Sequence, residues 1–148
     1  PRNLLRIAIE DNGPGLAVAP EHAMDPFYTT KTGKRTGLGL SLFRASTELA
    51  GGSLTLGQSP LGGLAVEAAM QLRHVDRLPL GDLAATFFSA ACTNPDVDFW
   101  CRLIEPGRNQ VIKLSEISHA LPPDKRNLFR VAQNLSDQIR QALASQIT

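Results

Sequence analysis

The sequence has too little cysteine for a disulfide framework. Its two cysteines, Cys92 and Cys101, also have no metal-ligand company. A reducing, cytosolic setting is therefore expected. No apolar run approaches the ~18 residues a membrane-crossing helix needs, and no basic-then-apolar opening resembles a signal peptide. Charge of one sign is lacking as well. Fifteen basic and 14 acidic residues leave +1, which gives no pull toward nucleic acid or an anionic membrane. Glycine is scarce in the second half, where only Gly81 and Gly107 lie beyond residue 73. An initiator methionine is missing too. The chain opens at Pro1, and Leu5, Ile7 and Ile9 already alternate with Arg6, Ala8 and Glu10. A strand in full stride so early predicts a piece cut from a longer protein.

What is present is globular in kind: 148 residues, 43% hydrophobic and 20% charged. That length suits one ordinary domain or two very small ones. The uneven glycine predicts two pieces, residues 1–73 and 82–148, joined by a 74–81 linker that contains Pro79 and Gly81.

Patterning predicts a strand over 3–10, a loop from Asp11 to about Thr36, and a helix over 38–50 stopped by Gly51-Gly52. Leu38, Leu42, Ala45 and Leu49 form its apolar stripe, widened by Leu40 and Phe43. Ser53–Leu56 and Leu64–Leu72 read as strands, with Pro60-Leu61-Gly62-Gly63 as the turn between them. A loop of some 25 residues inside a compact domain calls for a function. The second piece reads as a helix over 82–93 capped by Asp82, a strand over 97–103, a turn at Pro106-Gly107, and a returning strand through Val111, Ile112 and Leu114. A short helix from Ser115 follows, then a long helix over 124–147 capped by Asp124.

The chemistry concentrates in the first piece. Asp11-Asn12-Gly13-Pro14-Gly15 follows a strand. A carboxylate there can accept from an amino group, and the glycines let backbone approach a flat ring. Phe27-Tyr28-Thr29-Thr30-Lys31 comes next, then Gly37-Leu38-Gly39-Leu40-Ser41 opening a helix. Backbone N–H groups at such a helix start can hold an anion. Singly, these segments read as glycine turns and an aromatic anchor; the ordered set is far more specific.

That set resembles the ATP-binding domain of sensor histidine kinases, within the GHKL ATPase superfamily. The resemblance spans residues 4–72. Asp11, Gly13 and Gly15 match the first glycine box, Asp25 to Lys31 the phenylalanine box, Thr36 to Leu40 the second glycine box, and Gly51-Gly52-Ser53-Leu54 the following strand start. The gyrase, chaperone and mismatch-repair branches share the first box, whereas Phe-Tyr-Thr-Thr-Lys points to the kinase branch. The implied fold is α/β, an α+β two-layer sandwich of the GHKL type, N-terminally truncated, followed by a small α+β module.

The resemblance implies roles. Asp11 would accept from the adenine amino group and select ATP over GTP, so its loss would cost roughly ten- to a hundredfold in affinity. Gly13 and Gly15 would pass close to the purine. Residues 16–36 would form a lid, with Phe27 packing its hinge and Tyr28, Thr29 and Thr30 beside it. Gly37, Leu38 and Gly39 would contact phosphates, and Lys31 is either a γ-phosphate contact or a solvated charge. The Mg²⁺-binding Asn box and the dimeric phosphoacceptor histidine domain would lie upstream. His22, His74 and His119 are not in a His-Glu-apolar-basic-x-Pro setting, and Leu64-Ala65 stands where the family often has a Thr. With the Mg²⁺ ligand upstream, this chain alone is expected to show no autokinase activity, and with half the pocket wall upstream as well, its nucleotide binding is expected to be weak or undetectable.

In an intact protein the partners would be ATP, Mg²⁺ and a response regulator, with no nucleic acid and no membrane contact by this segment. An anti-sigma-type serine kinase and a degenerate non-catalytic module are the alternatives. An unpaired strand edge also keeps a homodimer among the readings. In the second piece, residues 74–82 and 94–99 resemble an extension of some stand-alone ATP-binding proteins of the superfamily. Asp96, Asp98 and Glu105 read as a metal site or a solvated strand face. The final helix reads as a packing helix or a partner surface.

Overall fold

The computed structural model describes residues 3–28 and 38–144. The chain divides into two compact units, Pro1–Pro79 and Leu80–Thr148, and each is described by itself. No helix among the described residues is long and apolar enough to cross a membrane.

The first unit holds β1 (Leu4–Glu10), α1 (Pro20–Ala23), α2 (Leu38–Leu49), β2 (Ser53–Gln58) and β3 (Leu64–Gln71). The three strands form an antiparallel sheet in the order β1-β3-β2. Alternation sends Leu5, Ile7, Leu54, Val66, Ala68 and Met70 into one core, with α2 packed on β2 and β3. The result is a helix layer on a sheet layer, the α+β arrangement the sequence leads one to expect. On the opposite sheet face Arg6 reaches Glu67 across the β1–β3 pair at 2.6 Å.

Gly51 ends α2 in the left-handed region at φ 67°. Its N–H donates to Glu48 O and that of Gly52 donates to Thr47 O, both at 3.0 Å. This pair is a Schellman closure. The 11–36 loop is not structureless in its described part. Pro20–Ala23 makes one helical turn with Pro at its start, buries Ala23 and brings Met24 onto the core.

The expected apolar stripe of α2 is not its buried one. Leu38, Leu42, Ala45 and Leu49 are all exposed, while Leu40 and Phe43 pack on the core and Thr47 and Ala50 are fully buried. At 100° per residue the two sets lie on opposite sides of the helix, so both satisfy helical spacing. The side with the smaller residues at its end, Thr47 and Ala50, is the one that meets the sheet.

The second unit contains α3 (Leu83–Thr93), β4 (Trp100–Glu105), β5 (Arg108–Lys113), α4 (Leu114–Ala120), a 3₁₀ turn at Pro123–Lys125 and α5 (Leu128–Ala144). Asp82 caps α3 by accepting from Ala85 N–H at 2.9 Å. β4 and β5 pair as a hairpin turned by Gly107 at φ 80°. α3 packs along α5, and Ala91, Cys101, Ile112, Leu135 and Ile139 lie in the core beneath them.

Several boundaries differ from expectation, and Leu114, expected in the returning strand, instead opens α4. The first strand begins at Trp100 rather than residue 97, because Asp98 turns out of the ladder to bond Ser115 at the start of α4. The last helix begins at Leu128, and its cap is Asn127, whose side chain accepts from Arg130 N–H at 2.9 Å. Asp124 sits instead in the 3₁₀ turn that Pro122-Pro123 introduces.

Candidate nucleotide site

The site grows from the register of β1 on β3. Glu10 lies opposite Ala65, so the next residue, Asp11, meets the start of β3. Asp11 N–H donates to Leu64 O and Gly63 N–H donates to Asp11 O, each at 3.0 Å. The Asp11 side chain joins the same junction. Its Oδ1 accepts from Leu64 N–H at 3.0 Å and from Gly13 N–H at 2.9 Å. The N–H groups of Leu64 and Gly13 hold this carboxyl below its ordinary value of 3.8, outweighing a small opposing effect of burial. Oδ2 has no hydrogen-bond partner among the described residues.

Asp11 is therefore an exposed carboxylate with one oxygen fixed by backbone and one oxygen available. A Cβ at Gly13 would stand 3.1 Å from Asp11 Oδ1, so a side chain there would press on the carboxylate. Gly15 takes the left-handed region at φ 76°, which turns the chain away from the strand.

The remaining expected residues are elsewhere in the unit. Leu38 and Gly39 occupy the first turn of α2, Leu38 is exposed, and the space beside Gly39 is open. No hydrogen bond among the described residues joins this turn to Asp11. Phe27 is 78% exposed, so it does not pack a hinge. The half-buried aromatic is Tyr28, whose ring lies 4.6 Å from that of His22. Asp25 fixes this corner, accepting from Phe27 N–H at 2.8 Å and, through its carbonyl, from Tyr28 N–H at 3.1 Å. Thr29, Thr30, Lys31 and Gly37 lie outside the described residues.

The residues that patterning misses are Gly63 and Leu64. Patterning gives them only as a turn and a strand start, yet they supply the donors and the space that hold Asp11. The signal is the sheet register: once β3 pairs with β1, with Glu10 opposite Ala65, its first residue must face the residue after β1.

The amino group of an adenine suits this arrangement, because Oδ2 of Asp11 has no partner among the described residues and glycine backbone lies beside it. A metal does not fit the described residues, where no group of three or more His, Cys, Asp or Glu side chains converges. In the second unit, Asp98 is spent on the α4 terminus and Trp100. A depression of about 360 Å³ in that unit is lined by Arg108, Gln110, Gln138, Gln141 and Ala142 and contains none of the motif residues.

No curated protein matches the chain. Residues 2–74 match the family described as histidine kinase-, DNA gyrase B-, and HSP90-like ATPase. The glycine-flanked Asp11 at a strand end and the helix-on-sheet unit that presents it lie within that match, and residues 2–74 thus belong to this family of ATP-binding GHKL-type domains.

Proposed function

We propose that residues 1–73 form the nucleotide-binding part of a sensor histidine kinase of a two-component system, with 74–81 as a linker and 82–148 as an accessory module. In this reading the intact protein moves the γ-phosphoryl group of ATP to a histidine of an upstream dimeric domain, and then to a response regulator in the cytoplasm. The observation that carries the nucleotide reading is the divided Asp11 carboxylate, with Oδ1 held by Gly13 and Leu64 and Oδ2 left for the 6-amino group of adenine. Guanine presents a carbonyl oxygen at that position, and acceptor against acceptor is unfavourable. The kinase branch is supported by Phe27-Tyr28-Thr29-Thr30-Lys31.

The chain's own residues have a limited set of tasks. Asp11 orients the base, Gly13 and Gly15 let backbone lie against it, and the N–H groups at the start of α2, with Gly37, Leu38 and Gly39, face phosphate. Lys31 adds charge near the γ-phosphate. Mg²⁺ would neutralise phosphate charge when bound, but no described residue is assigned to it and no step is routed through it.

The test is amide NMR of the chain with millimolar ATP, GTP or Mg²⁺-ATP. ATP is expected to shift Gly13, Gly15 and Gly39, GTP to shift the base-side glycines far less, and Asp11→Asn to remove that difference. Equal responses to ATP and GTP in the wild type would overturn the adenine role. Absence of any response to ATP at 10 mM would remove the nucleotide reading for this chain.

A further inference from the structure

The two glycines before β3 look alike in sequence but do different work. Gly62 sits at φ 107° with nothing within 4 Å of where a Cβ would be. It closes the Ser59–Gly62 turn, its N–H donating to Ser59 O at 2.9 Å. Gly63 is different. Its backbone conformation is one that any residue adopts, and it is buried. What excludes a side chain there is space. A Cβ on Gly63 would overlap Asp11 Oδ1, stand 2.5 Å from Gly13 N and lie 2.7 Å from Asp11 O. All three atoms belong to the loop that carries the adenine acceptor, and two of them form the hydrogen bond that fixes it.

We propose that Gly63 is a positioning residue for the base-reading carboxylate: its missing side chain lets β3 close on Asp11 so that Oδ1 is held by Leu64 and Gly13 and Oδ2 alone faces the purine. This rests on the nucleotide reading above and deepens it: Asp11 discriminates 6-amino from 6-oxo purines, and a residue outside the motifs matched in the sequence holds it in the orientation to do so. The physical logic is preorganisation. A carboxylate free to rotate presents either oxygen and loses its fixed direction. One tied by two backbone donors does not, so the cost of ordering it is met during folding rather than on binding. The lowered titration of Asp11 is the expected companion of those two donors. No charged side chain contributes to it.

A merely structural glycine gives the control. A Cβ on Gly52 would overlap Ala69 O and lie 2.7 Å from Met70 Cα, an equally severe clash in the same sheet with no Asp11 atom among those it meets. The experiment compares wild type, Gly63→Ala and Gly52→Ala. One readout is the titration midpoint of the Asp11 carboxyl ¹³C resonance. The other is the ratio of affinities for ADP and IDP, followed by amide shifts. Gly63→Ala is expected to move the midpoint up toward the ordinary aspartate value and to reduce the ADP-over-IDP preference at least several-fold. Gly52→Ala should lower thermal stability and leave both readouts unchanged. A Gly63→Ala protein that keeps the low midpoint and the full preference overturns the proposal.

Should Gly63→Ala fail to fold, the wild type decides. The Gly13 and Leu64 amide protons must both follow the Asp11 midpoint as pH is lowered, and independence of either proton overturns the clamp. If neither nucleotide binds the wild type, the nucleotide reading fails and base discrimination fails with it, whereas the titration separately reports whether Gly63 holds Asp11.

Discussion

The carboxylate of Asp98 closes the N-terminus of α4 through Ser115, accepting from its N–H at 2.9 Å on Oδ1 and from its hydroxyl at 2.8 Å on Oδ2. The indole N–H of Trp100 donates to Oδ2 at 2.6 Å, and Lys113 Nζ lies 4.5 Å over the same indole. A side chain that leaves its strand thus fixes three features of the second unit: the start of β4, the start of α4 and the position of the single tryptophan.

Removing that carboxylate should be visible in both stability and pH dependence. Burial alone would raise the Asp98 pKa from its ordinary 3.8, but the donors on Trp100 and Ser115 and the charge of Lys113 outweigh it and lower it. A carboxyl depressed in the fold contributes stability that is complete above its unfolded pKa and lost as pH falls through its folded pKa. Asp98→Ala is therefore expected to cost about 1 kcal/mol at pH 7, and the gap from wild type should narrow at pH values below 3.8. Urea unfolding followed by Trp100 fluorescence measures it in this unit. A gap that stays constant from pH 7 down to pH 2 would contradict the assignment.

The two apolar sides of α2 give a sharper contrast. Leu42 is 60% exposed and Leu54, beneath the helix, is 7% exposed. Leu42→Gln is expected to change stability by no more than about 0.5 kcal/mol. Leu54→Ala should cost about 2–5 kcal/mol through lost burial and a residual cavity. Circular dichroism during thermal unfolding compares them. A Leu42→Gln loss as large as that of Leu54→Ala would mean that something covers the outer stripe in solution.

The same helix marks how far the sequence is legible. Period-2 alternation defines β1 and β3 well, since a one-residue slip would put Arg6 and Glu67 in the core. Stripe counting does not orient α2, because Leu38, Leu42 and Leu49 satisfy the same spacing as Leu40, Phe43 and Thr47. Which side is buried depends on the sheet it lands on. Asp11, Gly13 and Gly15 stand out as a local cluster. Their holders, Gly63 and Leu64, lie 53 positions away in the case of Leu64, and only the pairing of β1 with β3 brings them in. Asp124 and Asn127 are both good caps by residue type, and the choice between them turns on how far Pro122-Pro123 delays the helix.

The two thiols should differ in reactivity. Cys101 is buried against the second core, and burial pushes its thiol pKa up from 9.0. The nucleophile is the thiolate, so both access and ionisation disfavour its reaction. Cys92 is only half-buried. Iodoacetamide at pH 8 is expected to modify Cys92 at least tenfold faster, with Cys101 following only as the unit opens. Peptide mass analysis over time reads both rates. Equal rates in the folded protein would show that Cys101 is not held as described.

The end of α2 makes a final case, because three nearby glycines predict three different outcomes. Gly51 takes φ 67°, and a Cβ on it would meet mainly the far end of the Gln71 side chain, whose Nε2 would be 2.9 Å away. Gly51→Ala should therefore cost about 1–2 kcal/mol, the penalty of the left-handed conformation. Gly52 has no such φ, but its Cβ would overlap Ala69 O and crowd Met70 in β3. Backbone cannot step aside there, because Gln71 N–H also donates to Ala50 O at 3.1 Å and binds the strand to the helix end. Gly52→Ala should cost about 1–3 kcal/mol or more by overpacking. Gly57, within β2, has no positive φ, and a Cβ added to it would have nothing within 4 Å. Gly57→Ala should thus be neutral or stabilising by up to about 1 kcal/mol. Thermal unfolding of the three variants by circular dichroism gives the order directly. An order with Gly57→Ala as the most damaging would require β2 to be packed by something other than β3 and α2.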